Sequence, residues 1–199
     1  IYQYLPGQRR VKLAPDLSYD TPNPQSGGAA TSDETSLFSG AQDRYDFKLA
    51  GKKDIYMLYN NYNATDGKKC PDEAFFKKGF ANPDCMRWEL HRSWVVNATL
   101  KPGYRHIYPK RSFYFYEDTW APGHADNFDA SGGLFRGDFV PHSAYYLDSA
   151  WPMHNNSLPT YVVDLKSGAW YTTQHAAYPG GGVVPEKARP ASYFSPDAL

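Results

Sequence analysis

One stretch constrains the fold more than any other: residues 86–120, MRWELHRSWVVNATLKPGYRHIYPKRSFYFYEDTW. Read with a period of two, Trp88, Leu90, Trp94, Val96 and Ala98 fall on one face. Arg87, Glu89, His91, Ser93, Asn97 and Thr99 fall on the other, with Arg92 and Val95 as the exceptions. An alternation of that length predicts a strand with one dry and one wet face. Lys101-Pro102-Gly103 then has turn chemistry, because Pro presets φ at the first central position and Gly accepts a positive φ at the next. The chain is expected to return through Tyr104, His106, Tyr108, Phe113 and Phe115, residue types enriched in strands. A two-stranded ribbon is not stable alone in water, so this long hairpin needs flanking strands.

The rest of the chain supplies them. Ile1 to Leu13 reads as a hairpin about Pro6-Gly7, followed by a loop rich in Pro, Ser, Asn and Gly. Thr31 or Ser32 is placed to cap a short helical turn through Leu37 and Phe38, ended by Gly40. Tyr45, Phe47 and Leu49 alternate before Ala50-Gly51-Lys52, and Ile55, Met57 and Tyr59 alternate after it, which predicts a second hairpin with its turn at Gly51. A turn is expected within Asp126–Arg136, a short helix or irregular lid over His142–Met153, and a last hairpin from Tyr161 to Thr173 about Lys166-Ser167-Gly168. Residues 1–175 are thus one antiparallel β domain, and 176–199 a Pro/Gly-rich tail. Consecutive hairpins make a meander of roughly eight to ten strands, and a meander curls into a barrel or half-barrel.

Composition narrows the function. Lys+Arg and Asp+Glu are both 21, so the formal charge is zero and the basic excess of a nucleic-acid-binding protein is missing. Aromatic residues reach 17%, with 17 Tyr and 5 Trp, which favours sheet or an aromatic-lined surface over helical bundles. No run approaches 18 apolar residues, so no transmembrane helix is expected. Cys70 and Cys85 fit a disulfide or two unrelated thiols. A bridge would close a loop of about 15 residues and stabilise it by roughly 3 kcal/mol, and it favours an oxidising compartment.

Several segments resemble a known family. Trp88-Glu89-Leu90-His91-Arg92, Ala98-Thr99-Leu100-Lys101-Pro102-Gly103, Arg105-His106-Ile107-Tyr108, Lys110-Arg111 and Glu117-Asp118-Thr119-Trp120 are similar to uncharacterised bacterial envelope proteins labelled outer-membrane lipoprotein-sorting proteins, relatives of LolA and LolB. Tyr4-Leu5-Pro6-Gly7-Gln8-Arg9-Arg10-Val11, Asp43-Arg44-Tyr45-Asp46-Phe47-Lys48-Leu49-Ala50-Gly51-Lys52-Lys53 and Tyr59-Asn60-Asn61-Tyr62 extend the resemblance. It implies a mostly β protein, an antiparallel meander curled into a half-open β-barrel with short helices as a lid over an apolar concave face. It also implies a periplasmic or outer-membrane-associated carrier or docking protein for a lipid or lipoprotein acyl chain, with an envelope transporter or outer-membrane protein as partner. Members are roughly twice this long, so the chain is expected to be the carboxy-terminal part of a larger barrel.

The candidate ligand-binding residues are the aromatic and aliphatic ones on the predicted dry faces: Trp88, Leu90, Trp94, Val96, Phe113, Phe115, Trp120 and Trp170. The plain alternative is that they fill an ordinary sheet core. Glu89, His91 and His106 lie near one another across the hairpin and are the candidates for acid-base or metal chemistry, but no HExxH or other ligand spacing accompanies them. Neither a GxSxG nucleophile motif nor a phosphate loop is present, so the expected protein is non-enzymatic, without metal or cofactor. The competing expectation is an assembly subunit whose aromatics contact a protein or glycan without a lipid cavity.

Overall fold

The alternating stretch is the second strand from one edge of a seven-stranded antiparallel sheet. The structure, a computed structural model, describes residues 2–5, 10–13, 18–145, 153–154 and 160–172. In chain order its strands are β1 (Tyr2–Leu5), β2 (Arg10–Leu13), β3 (Tyr45–Leu58), β4 (Phe76–Lys77), β5 (Phe80–Ala81), β6 (Trp88–Leu100) and β7 (Lys110–Tyr116). β8 (Pro122–Phe128), β9 (Leu134–Phe139), β10 (Ala144–Tyr145), β11 (Met153–His154), β12 (Tyr161–Asp164) and β13 (Trp170–Thr172) follow. The main sheet has the order β13-β12-β9-β8-β7-β6-β3, a meander in which every neighbour pair is antiparallel. Among the described residues its two edge strands, β13 and β3, are not paired with each other, so the sheet is open. The predicted hairpins β1–β2, β8–β9 and β12–β13 all form. The predicted tail and the end of the domain at 175 lie outside the described residues, as does most of the His142–Met153 segment.

The second hairpin does not form. β3 is one strand of 14 residues, and Ala50-Gly51-Lys52 is a bulge within it rather than a reversal. Gly51 takes φ +103, and both halves of β3 stay paired to β6, with the register shifting between Leu49 and Gly51. One extra residue in a long strand sharpens local twist without ending the ladder. β7 also starts later than expected: Tyr104 to Pro109 form a connection, and pairing resumes at Lys110.

The sheet curls far enough for its two edges to share a core. Leu58, at the end of edge strand β3, lies in one apolar cluster with Tyr161 of β12, joined by Cys70, Phe75 and Cys85. The excursion between β3 and β6 supplies those bridging side chains. It carries the short helices α1 (Tyr62–Thr65) and α2 (Asp72–Phe75), and it is stapled by the Cys70–Cys85 disulfide, with Cα atoms 5.7 Å apart. Phe75, fully buried, meets Tyr161 at 5.5 Å and Trp170 at 6.0 Å between ring centroids. Short segments of this kind have little intrinsic stability, so tertiary packing and the cross-link hold them.

Burial along β6 departs from the alternation. Leu90 is 62% exposed, whereas Ser93, on the expected wet face, is fully buried. The reason is length. β7 ends with Tyr116 opposite Ser93, so the first turns of β6 pair only with β3, and the face that gets covered there is the one bearing Met57 and Tyr116. Ser93 donates its hydroxyl to the Met57 sulfur at 2.6 Å, and His91 packs edge-on against Tyr116. Hydrophobic alternation identifies a strand, but the covering elements decide which face is inside.

Candidate functional site

Cross-strand registers put the predicted apolar residues into rows on one face of the sheet. Leu49, Val96, Phe113 and Ala125 form one row, and Lys52, Trp94, Phe115 and Pro122 the next. Against these rows lies the segment after the 3-10 turn Ser32–Leu37, which Thr31 precedes as the N-terminal cap. Leu37 and Phe38 face Phe113 and Phe115, leaving a groove of about 250 Å³ lined also by Phe47, Pro122, Ser36 and Gln42. Among the described residues no charged side chain lines it. Phe38 meets Phe47 and Phe113 edge-on, both at 5.8 Å.

The eight residues singled out in the sequence therefore separate into groups. Phe113 and Phe115 line the groove, and Val96 packs against the same cluster, although Phe113 is itself only 3% exposed and serves the core as well. Trp94 and Trp120 stack at 5.5 Å with their planes 19° apart, beside Phe115. Leu90 is exposed next to Tyr56, its partner on β3. Trp88 packs against His124 and Phe139. Trp170 stacks on Phe76 and donates its indole N–H to the Lys77 carbonyl, in a separate shallow hollow with Asp72 and Tyr171.

Next to the groove, the same face carries a buried polar network that the alternation did not reveal. Arg111 has the same strand parity as Phe113 and Phe115, and its guanidinium is fully buried. It donates to Asn127 (2.7 Å), Asp33 (2.9 Å) and the Leu37 carbonyl (2.8 Å). Arg136 donates to the Tyr108 hydroxyl at 2.9 Å and pairs with Glu34 and Asp164. Tyr108 donates to Glu34 at 2.5 Å, and Glu34 accepts the Thr31 backbone N–H. Consecutive acids of one 3-10 turn thus engage arginines from different strands, fixing the wall that carries Leu37 and Phe38. A buried charge costs several kcal/mol unless it is paired and hydrogen-bonded, and these are. Burial pushes the Asp33 carboxyl up, but the hydrogen bond from His106 at 3.0 Å and the Arg111 charge more than offset it, leaving it below its ordinary value. Burial, reinforced by the Glu34 charge, holds the Asp138 carboxyl well above its ordinary value. The available sequence signals were the Thr31-to-Glu34 capping spacing and a lone arginine in an aromatic stripe.

Glu89 and His91 touch each other at 3.3 Å, but His106 is committed to Asp33, so the three predicted acid-base candidates do not converge. Among the described residues no cluster of three or more His, Cys, Asp or Glu has metal-ligating geometry. His124 is buried against Trp88 and Phe139, and burial, then the nearby His142 charge, depress its pKa to about 4. The unfolded chain takes up a proton there near the ordinary value of about 6.5 while the native state does not. Stability contributed by this site is therefore present above pH 6.5 and lost as pH falls toward 4, by up to about 3 kcal/mol. Urea unfolding at pH 7 and pH 4.5 is expected to show that loss, and His124→Gln to flatten it.

The fold and this site define a class: an open, curled antiparallel sheet whose apolar face is partly roofed by a short strap. The chain belongs to the family described as a protein of unknown function, DUF1329, whose model matches residues 1–199. An uncharacterised protein of Pseudomonas aeruginosa is 47% identical over 167 residues, covering 84% of this chain and 36% of its own length. The chain thus spans little more than a third of that relative. A DUF1329 protein from Desulfovibrio piger has the same fold, with TM-score 0.51 at 15% identity over 100% of this chain and 63% of its own. A Vibrio parahaemolyticus domain described as an outer membrane lipoprotein-sorting protein aligns with TM-score 0.49 at 12% identity, over 87% of this chain and 57% of that one.

Proposed function

We propose that the protein is a non-enzymatic carrier or docking protein of the bacterial envelope that binds a single apolar chain on the open face of its curled sheet. The observation that carries this reading is the uncharged groove between Phe113, Phe115 and the Leu37–Phe38 strap. Its volume of about 250 Å³ lies just below the range of about 300–1,000 Å³ usual for small-molecule pockets, which suits one chain rather than two. Binding would rest on burial. Each methylene contributes about 0.8 kcal/mol, so two added carbons tighten binding roughly tenfold. The disulfide fits an oxidising compartment such as the periplasm. Among the described residues no helix is long and apolar enough to cross a membrane. An envelope transporter or outer-membrane protein is the proposed partner, the class of site that a lipoprotein-sorting role would serve.

Delipidated protein should bind the neutral fluorophore N-phenyl-1-naphthylamine saturably, and Phe115→Arg, which puts a charge in the groove, should weaken binding at least tenfold. An unsaturable signal, equal in the variant, would remove the carrier reading. A second reading has its own support. β3 presents a 14-residue edge, with Leu49, Tyr56 and neighbouring Leu90 all more than half exposed, and exposed edges are templates for strand addition by another protein. Stoichiometric co-purification of a partner, lost on a Tyr56→Pro change at an exposed edge position, would favour it.

A further inference from the structure

On the carrier reading above, the end of the groove bears on what a bound molecule carries besides its chain. Toward β3, along the row of Phe115 and Pro122 and in the row beyond it, the surface changes character. Lys52 pairs with Trp94 across β3 and β6, and Asp54 pairs with Arg92 in the adjacent row. Glu117, just past the end of β7, accepts from Lys52 and from Arg92, the latter at 2.7 Å. Trp120 lies over Trp94 and is 67% exposed, held there by a backbone with φ +57, a conformation that non-glycine residues rarely adopt. The Lys52 ammonium sits 4.3 Å from the Trp94 ring centroid, so the indole pair already holds one cation. The groove itself is uncharged, whereas its end brings together two cations, two carboxylates and an open indole face.

We propose that this cluster receives the head of the bound molecule, and that the ligand is a single-chain zwitterionic amphiphile whose anionic group meets Lys52 and Arg92 while its ammonium meets Glu117, Asp54 and the Trp120 face. A purely anionic head would bring its charge against Glu117 and Asp54, and a purely cationic head against Lys52 and Arg92. An uncharged head would leave Lys52 and Arg92 paired with Glu117 and gain nothing from the charges. Only a head of both signs satisfies each group at once. Charge-assisted hydrogen bonds from a guanidinium suit a phosphate, and an exposed indole suits a quaternary or primary ammonium.

Displacement of bound N-phenyl-1-naphthylamine tests this with four twelve-carbon probes below their micelle concentrations: dodecylphosphocholine, laurate, dodecyltrimethylammonium and dodecanol. Dodecylphosphocholine is expected to displace at a concentration at least tenfold lower than any of the others. Arg92→Gln and Trp120→Ala, both at exposed positions, should each remove most of that preference. Equal displacement by all four probes, or a preference for laurate, overturns the zwitterion assignment and leaves the carrier reading standing. Failure of the fluorophore to bind at all overturns both.

Discussion

Replacing Arg111 by methionine is expected to destabilise the protein by about 3–5 kcal/mol. The methionine fills much of the same volume, so the loss is not one of packing. It comes from Asp33, which remains buried beside the vacated position with a hydrogen-bond donor and a counter-charge removed. The Leu37 carbonyl loses its donor as well, at the point where the strap turns through two successive positive φ values, +51 at Ser36 and +72 at Leu37. Chemical denaturation measures the effect. Because the cause is an unpaired charge, Arg111→Met combined with Asp33→Asn should recover part of the loss, a non-additivity of 1 kcal/mol or more on the double-mutant cycle. Strict additivity would mean the two side chains do not act together. The fluorophore should also bind differently in Arg111→Met, since the strap forms one wall of the groove.

Opening the Cys70–Cys85 bridge is expected to cost roughly 3 kcal/mol, the chain-entropy value for a loop of about 15 residues, or about 10 °C in Tm for a chain of this size. Its effect should also be local. The bridged excursion carries Phe75, which fills the space between Leu58 at one edge of the sheet and Tyr161 near the other. Reduction, or a Cys70→Ser/Cys85→Ser double change, is therefore expected to raise hydrogen exchange first in residues 59–86 and then at the end of β3 and in β12. Uniform loss of protection across the sheet would show instead that the seam is held without the staple. Fluorophore binding should change little, because the groove lies among Phe47, Phe113 and Phe115, away from the bridge.

The two effects divide along the line between what can be read in the chain and what cannot. Strand content, the antiparallel order and the β1–β2 and β12–β13 hairpins follow from period-two alternation and turn residues, which act over a few positions. Gly51 shows the limit of that reasoning. A glycine flanked by two alternating runs is equally consistent with a turn and a bulge, and what decided for the bulge was 13 residues of β6 long enough to pair with both halves. The face of β6 that is covered was likewise set by where β7 stops, a property of a neighbouring strand.

For the site, the sequence by itself determined that Phe113, Phe115, Val96 and Trp94 would share one face, because strand parity is local. Only the tertiary structure decided that Trp88 and Trp170 would pack elsewhere, and that Arg111 and Arg136 would be buried between acids of a strap some 75 or more residues earlier in the chain. The physical reason is that parity assigns a side chain to a face. Whether that face meets solvent, a ligand or a buried counter-charge depends on long-range closure of the sheet, which no local pattern encodes.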